Sequence, residues 1–274
     1  MKKLYRACRF SSTPVPKHRY ILEMAENDKT LGNPEYWDAR YSKSDGGVPT
    51  HEWFRSFNDL EQFFEKSLFG RLGSQPTNKP LILHLGSGDS VSLVYPIAKP
   101  YYCTTNWLSR QTIPVELASR GYKRQLCVDF STVVVQTMTE RHRSVEGIEW
   151  KHMDVRNMPD IAGKSIDVAF DKGTLDAMIH GSPWSPPEEV KENTSKYLHE
   201  VGNLESRGII INRSDHIQVH RVLKDDGIFL YITFRQPHFI KPLLNPDGAW
   251  DIDMQTLNGG GSFDYFGYLI QKAR

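Results

Sequence analysis

Four short apolar runs in the chain each end in a residue type that suits the binding of a nucleotide-like ligand. Gly86 and Gly88 follow the first run, and a carboxylate follows each of the next three: Asp129, Asp154 and Asp171. Glycines let the backbone approach a ligand closely, and a carboxylate can accept hydrogen bonds from ribose hydroxyls. Ligands of open α/β sheets bind outside the carboxyl ends of the strands, so these positions predict one crevice at a shared sheet edge.

The apolar runs themselves predict the strands that must position this crevice. They cover 81–85, 124–128, 147–152, 165–170 and 228–234. Helical patterns lie between them, for example at 113–120 and 131–142. Two final runs, 250–257 and 262–270, flank a Gly-Gly-Gly turn and predict a closing antiparallel pair. This alternation indicates an α/β fold with a doubly wound, Rossmann-like sheet of seven strands, mostly parallel.

Two helical stretches precede the first strand. Asn33 and Pro34 are typical of a helix start, because asparagine caps the first turn and proline fits its first position. From 52 to 72, apolar side chains recur every three or four residues and are expected to face a core. They are Trp53, Phe57, Leu60, Phe63 and Phe64. We therefore assign 1–32 to an N-terminal tail and 33–274 to one domain with N-terminal helices.

The turn after Gly88 does not lead directly into a helix. Residues 91–111 contain two prolines, no acids and no helical period, and the next helix starts only at Ile113. Asp129 follows Gly88 by 41 positions. In a nucleotide-binding βαβ unit the corresponding acid lies about 20 residues beyond the glycines. Removing the 21 residues 91–111 restores a spacing of 20.

A second interruption, 201–218, precedes the fifth strand. Without it, four apolar residues fall on one face of a single helix: Leu198, Val219, Val222 and Leu223. Both interruptions begin with valine and end with glutamine, whose codons can match the two ends of a spliceosomal intron. We hypothesise that both are retained introns, because long structureless loops are uncommon in compact domains. The alternative is a pair of ordinary surface insertions.

The composition argues against several classes of protein. The formal net charge is +1, with 39% hydrophobic and 24% charged residues, so a nucleic-acid-coating or membrane-coating surface is not indicated. Apolar runs stay short of the roughly 18 residues that a membrane span needs. Three scattered cysteines indicate neither a disulfide framework nor a metal site, and they fit a reducing compartment. We expect a monomer without nucleic-acid or membrane partners.

The first 23 residues differ from the rest of the chain. Six lysines and arginines precede the first acid, Glu23, and hydroxylated residues lie among them. This composition is typical of a mitochondrial presequence. We favour a disordered tail, or upstream sequence ahead of a translation start at Met24, and therefore a cytoplasmic location. A working presequence would make the location mitochondrial.

With its strand ends assigned, the sequence resembles the class I S-adenosylmethionine-dependent methyltransferases. Within that class it is most similar to the lysine methyltransferases of elongation factor 1A, with mitochondrial citrate synthase lysine methyltransferase as a relative. The resemblance covers about 33–272 outside the interruptions, and 171–176 is its most specific piece. The matching pieces are 36–41 (YWDARY), 52–54 (EWF), 85–90 (LGSGDS), 128–131 (VDFS), 153–155 (MDV) and 171–176 (DKGTLD).

The resemblance implies S-adenosylmethionine as cofactor and a protein lysine as methyl acceptor, on elongation factor 1A or alternatively on citrate synthase. It places Gly86 against the methionine portion and Asp129 on the ribose hydroxyls. Phe130 would pack against the adenine, and Asp154 with Val155 would hold the adenine edge.

The resemblance further implies a lid and a substrate side. Trp37, Tyr41 and Trp53 would form an aromatic lid, which suits a sulfonium because aromatic faces attract cations. Lys172 would lie beside the methionine end. Asp171 would face the transferred methyl group and steer the incoming lysine ammonium, so we assign it the catalytic role.

The main task of such a site is to position the lysine amine against the methyl group. Methyl transfer is an in-line displacement, and desolvation in an aromatic pocket lowers the pKa of a lysine. A nicotinamide-dependent reductase would need a third glycine shortly after Gly88, and the sequence has none there. A small-molecule methyltransferase would need a substrate cap, for which only the two interruptions are available. If they are translated, the product could instead bind the cofactor without activity.

Overall fold

The computed structural model describes residues 28–43, 54–72, 79–89, 92–94, 109–198, 218–257 and 264–274. The predicted tail up to residue 27 lies outside the described residues, as do Trp53 and most of the two interruptions. Within the described part, no helix is both long and apolar enough to cross a membrane.

In the described part of the chain, nine strands form two sheets. The strands are β1 Ile82–Leu85, β2 Ser92–Val94, β3 Ser109–Gln111, β4 Gln125–Asp129, β5 Ile148–His152, β6 Ile166–Lys172, β7 Leu223–Thr233, β8 Trp250–Leu257 and β9 Tyr265–Lys272. Seven of them form one sheet in the order β5-β4-β1-β6-β7-β9-β8. Strands β5, β4, β1, β6 and β7 run parallel, and β9 is antiparallel to both β7 and β8. The predicted seven-stranded sheet with its closing antiparallel pair is confirmed.

Helices cover the two faces of this sheet. They are α1 Pro34–Tyr41, α2 Phe57–Phe64, α3 Ile113–Ser119, α4 Thr132–Arg141, α5 Thr174–Met178, α6 Glu188–Leu198, α7 Gln218–Val222 and α8 Pro237–Leu244. Helix α2 continues through a π-helical turn, Glu65–Phe69, and a last turn, Gly70–Leu72. Its start is fixed by Ser56, whose hydroxyl accepts from the backbone N–H of Asp59 while the Asp59 carboxylate accepts from the Ser56 N–H.

Side chains alternate between two hydrophobic cores on opposite faces of the sheet. On β1, Ile82 joins the core beneath α2 and α3, whereas Leu83 and Leu85 join the core beneath α5 to α8. The aromatic face predicted for α2 lies in the first of these cores, where Phe57 and Phe63 are each 1% exposed. Because successive side chains of a strand point to opposite faces, a residue's position along the strand decides which side of the sheet it faces.

The chain leaves and re-enters the domain at nearly the same point at the first interruption. Strands β2 and β3 pair with each other in a separate two-stranded sheet, with Ser92 opposite Gln111. Paired residues of antiparallel strands lie about 5 Å apart. Thr112 follows at once and caps α3, its hydroxyl accepting from the Val115 N–H.

The second interruption has a different boundary from the predicted one. Gln218 belongs to α7, is buried, and accepts hydrogen bonds from the Met158 N–H (2.8 Å) and the Arg221 guanidinium (2.9 Å). The four residues predicted to share a helix face do lie in one core: Leu198, Val219, Val222 and Leu223.

The predicted fifth strand starts earlier than expected. Helix α7 ends at Val222, and Leu223 already pairs with Ile166 of β6. The Ser165 N–H donates to the Val222 carbonyl at 2.9 Å. This pairing with the neighbouring strand ends the helix at Val222, so Leu223 lies on β7 and not on the predicted helix.

Candidate active site

A crevice opens at the carboxyl ends of β1, β4 and β6. It is lined by all but two of the predicted site residues: Trp37, Tyr41, Gly86, Gly88, Asp129, Phe130, Asp154, Val155 and Lys172. The exceptions are Trp53, which lies outside the described residues, and Asp171. The sheet edge therefore brings together residues that are far apart in sequence.

The glycine turn after β1 needs glycine for two reasons. Gly86 has φ +62° and Gly88 has φ +57°, a region that side chains with a Cβ rarely adopt. A Cβ on Gly86 would collide with the side chain of Thr174, whose hydroxyl donates to the Leu85 carbonyl at 2.7 Å. Tyr41 lies over the second glycine, with its hydroxyl 3.3 Å from where a Cβ of Gly88 would be.

Asp129 closes the other side of this turn. Its Oδ2 accepts from the Gly88 N–H at 3.0 Å, and its Oδ1 accepts from the Ser131 N–H at 2.9 Å. Burial raises the pKa of Asp129 to about 6, against the two backbone hydrogen bonds that favour its charged form. Each oxygen retains a lone pair, so the carboxylate can accept a pair of ligand hydroxyls.

Two aromatic rings of α1 form one wall of the crevice. Trp37 and Tyr41 are stacked with ring centroids 5.6 Å apart and an interplanar angle of 29°. The Trp37 indole N–H donates to the Leu31 carbonyl at 2.7 Å, which fixes the ring. Helix α1 is held against α4 by the Ser131 hydroxyl, which donates to Asp38 at 2.5 Å. These contacts hold the two rings in place where they line the crevice.

Asp154 lines the crevice in an ion pair that the sequence analysis did not include. Arg156 donates to both carboxylate oxygens, with its Nη2 2.7 Å from Oδ2 and its backbone N–H 2.8 Å from Oδ1. Val155 and Arg156 also line the crevice. The assignment of Asp154 to an adenine amine remains a prediction, and such a donor would have to share the carboxylate with Arg156.

The catalytic role assigned to Asp171 does not agree with the geometry. Its carboxylate is fully buried and accepts from the backbone N–H groups of Thr174 (2.8 Å) and Leu175 (3.0 Å) and from the Tyr197 hydroxyl (2.7 Å). Burial raises the pKa of Asp171 to about 7. Side chains alternate along β6, so Phe170 and Lys172 face the crevice while Asp171 faces the core beneath α5 and α6.

Lys172 and Asp176 complete the β6 side of the crevice. The Lys172 ammonium donates to the Arg55 carbonyl at 3.1 Å. Asp176 accepts from the hydroxyls of Tyr231 (2.7 Å) and Thr233 (2.6 Å), and burial raises its pKa. These contacts hold the start of α5 against β7.

Some crevice residues were not singled out from the sequence. They are Leu31, Gly32, His84, Leu85, Ser87, Thr112, Ile113, Pro114, Arg156, Phe170, Gly173, Thr174, Asp176, Ala177 and Met178. Thr174 and Asp176 fall within the specific string 171–176, which could have revealed them. A single histidine in a buried strand carries no comparable signal.

The strand order and the crevice define a Rossmann-like fold. The chain is 28% identical over 271 residues to EEF1A lysine methyltransferase 4 of Bos taurus, covering 98% of this chain and 84% of that protein. It is also 28% identical over 255 residues to the Mus musculus protein of that name, covering 92% of this chain and 80% of that one. The resemblance to the elongation factor 1A lysine methyltransferases is thereby confirmed.

Two further similarities have lower sequence identity. The eEF1A lysine and N-terminal methyltransferase of Bos taurus is 24% identical over 219 residues, which are 80% of this chain and 24% of that protein. The solved complex of Haemonchus contortus phosphoethanolamine N-methyltransferase 1 with phosphoethanolamine and S-adenosylhomocysteine has 15% identity and a TM-score of 0.47. It covers 91% of this chain and 50% of that chain. No protein-family model matches the chain.

Proposed function

We propose that this chain is an S-adenosylmethionine-dependent methyltransferase that transfers a methyl group to a lysine side chain of elongation factor 1A. The observation that carries the proposal is the similarity, over 98% of the chain, to a protein named for that activity. The crevice supports it independently, because a glycine turn, a buried carboxylate and an aromatic wall line it together.

The crevice residues fit S-adenosylmethionine. Gly86 and Gly88 allow close approach of the backbone, and the Asp129 carboxylate would accept from the ribose hydroxyls. The faces of Trp37 and Tyr41 suit a sulfonium cation. When bound, S-adenosylmethionine supplies a methyl group that its sulfonium charge activates.

The contribution of the protein is positioning and desolvation. The carboxylates among the described crevice residues are Asp129, Asp154 and Asp176, and each is held by hydrogen bonds from the protein. None is placed as a dedicated base in the described part of the chain. Burial of a lysine against apolar walls lowers its pKa, so a neutral amine can be presented without such a base.

A methyl-transfer assay tests this proposal. The purified chain is incubated with elongation factor 1A and a donor carrying an isotope-labelled methyl group, and the modified lysine is located by mass spectrometry. We expect label on elongation factor 1A, and its loss when the modified lysine is replaced by arginine. Label confined to small molecules would favour the alternative methyltransferase class.

The cellular location and the exact protein substrate are part of the same proposal. We propose a monomeric, cytoplasmic enzyme translated from Met24, for which elongation factor 1A is the accessible substrate. If residues 1–23 direct import, citrate synthase becomes the candidate substrate. Fluorescent fusions that start at Met1 or at Met24 distinguish the two cases, because only a working presequence takes the longer fusion into mitochondria.

A further inference from the structure

His84 occupies an unusual position in the floor of the crevice. It lies on β1 two residues before Gly86, is 2% exposed, and lines the crevice. It shares its side of the sheet with Phe170, whose ring lies edge-on at a centroid distance of 5.8 Å. A polar ring is thus set beside an aromatic one.

The surrounding hydrogen bonds fix which ring nitrogen carries the proton. The Gln125 amide nitrogen donates to the carbonyls of Pro114 (2.7 Å) and Tyr122 (2.8 Å). A carbonyl can only accept, so the orientation of this amide is determined and its oxygen must face the other way. That oxygen lies 2.6 Å from His84 Nε2, which must therefore be the donor.

The other nitrogen, Nδ1, is consequently an acceptor. Burial lowers the pKa of His84 to about 4, so the imidazole is neutral at physiological pH. Among the residues that the structure describes, none forms a hydrogen bond with Nδ1. Because His84 lines the crevice, a bound ligand can supply the donor that Nδ1 lacks.

The position of His84 within the crevice limits what that donor can be. Asp129 and Val155 line the part assigned above to the ribose and adenine. His84 pairs with Phe170 of β6, so Lys172 is its diagonal neighbour on the same side of the sheet, and Gln125 links His84 to Pro114. A ligand group there meets apolar walls, one positive charge and one imidazole lone pair. An α-amino acid end matches this pair, with its carboxylate suited to the lysine and its ammonium suited to the imidazole.

We propose that His84 Nδ1 accepts a hydrogen bond from the α-ammonium of the cofactor's methionine portion. His84 is then a positioning residue that holds the cofactor by its amino acid end. This inference rests on the proposed function, because it takes the ligand to be S-adenosylmethionine or its product.

Binding measurements with three ligands test the inference without relying on catalysis. Calorimetry on the full chain compares S-adenosylhomocysteine, an analogue that lacks only its α-amino group, and methylthioadenosine, which lacks the whole amino acid end. We expect His84→Leu to lower the affinity for S-adenosylhomocysteine by about 10- to 100-fold, the range for a hydrogen bond to a charged group. The two other ligands should keep their wild-type affinity.

A matched control separates this hydrogen bond from simple packing. Phe170→Leu changes the same wall without touching a polar atom, so it should affect S-adenosylhomocysteine and its deaminated analogue equally. If His84→Leu lowers the affinities for both of these ligands equally, the inference is overturned while the proposed function stays intact. If the wild-type chain binds none of the three ligands, the proposed function itself fails.

A spectroscopic measurement on the wild-type chain covers the case in which His84→Leu does not fold. In ¹⁵N-histidine-labelled protein, the Nδ1 resonance of His84 should move upfield with S-adenosylhomocysteine and stay in place with methylthioadenosine. An unchanged Nδ1 resonance with bound S-adenosylhomocysteine would contradict the proposal.

Discussion

Asp129 and Asp171 occupy equivalent places at the ends of parallel strands but serve different parts of the molecule. Both are buried, both accept backbone hydrogen bonds, and burial raises the pKa of each. Yet Asp129 lines the crevice, whereas Asp171 binds Tyr197 in the core on the other face. A strand-end acid therefore becomes a ligand-binding group only if its side chain points to the ligand side of the sheet.

The largest effect is expected at the glycine turn that Asp129 supports. Gly86→Ala combines a left-handed φ with a collision against Thr174, so the turn and the adjoining crevice must shift. We expect a loss of affinity for S-adenosylhomocysteine of about 100-fold by calorimetry, equivalent to about 2.8 kcal/mol.

Gly248→Ala is the matched control for that substitution. Gly248 also has a left-handed φ, +74°, but a Cβ there would meet no atom within 4 Å. We expect a loss of about 1 to 3 kcal/mol in the free energy of unfolding and an unchanged affinity. Equal losses of affinity in both variants would mean that backbone strain alone, and not the crevice, is responsible.

In the core beneath α5 and α6, Asp171→Asn should lower the stability of the fold. The replacement leaves three donors facing a side chain with a single acceptor oxygen, so we expect a loss of about 2 to 4 kcal/mol in the free energy of unfolding. Tyr197→Phe removes only one of the three hydrogen bonds and should cost about 1 to 2 kcal/mol. Urea denaturation measures both, and a fully stable Asp171→Asn variant would refute the structural role.

The pH dependence of stability also tests the structural role of Asp171. The pKa of Asp171 rises from 3.8 to about 7 on folding, so the folded chain binds this proton more tightly than the unfolded chain. Its contribution to stability is full below about pH 4 and is lost as the pH rises through 7. The wild-type chain should therefore lose stability across this range more steeply than Asp171→Asn, in urea titrations at each pH. Parallel curves would show that Asp171 keeps an ordinary pKa.

The smallest effect is expected from removing the two interruptions. Ser92 pairs with Gln111, so the ends of the first segment are already adjacent. Deleting 201–218 places Glu200 immediately before Val219, where its carboxylate could take over the bonds of Gln218 to Met158 and Arg221. The double deletion should retain cofactor binding and gain about 1 to 2 kcal/mol from shorter connections, measured by calorimetry and denaturation.

The transcript provides an independent check on these segments. If they are retained introns, the mature message joins the codons of Ser90 and Thr112 and those of Glu200 and Val219. A mature message that keeps both segments would rule out the intron hypothesis and leave two surface insertions.

The seven-stranded, mostly parallel sheet and the edge that binds the ligand could be predicted because they follow from periodic patterns. Apolar runs and glycine turns are local in sequence, and the parallel α/β arrangement places their carboxyl ends together. The residues Gly86 and Asp129 were therefore found without the structure.

What could not be predicted depends on which face of the sheet a strand residue points to, and on contacts between residues far apart in sequence. Asp171 was assigned to the ligand side because its motif is specific, but its orientation depends on the exact register of β6. The Arg156 ion pair with Asp154 and the role of Gln125 in orienting His84 are tertiary contacts. The early start of β7 likewise depends on pairing with β6, which no local pattern reports.

The most direct test of this account compares two conservative variants in one calorimetric series with S-adenosylhomocysteine. Asp129→Asn should weaken binding by about 10- to 100-fold, because the amide cannot replace charge-assisted hydrogen bonds to the ribose and to the Gly88 N–H. Asp171→Asn, measured where it remains folded, should bind within about threefold of the wild type, a difference below the value of one hydrogen bond. The account is contradicted if Asp171→Asn loses as much affinity as Asp129→Asn while its fold is intact.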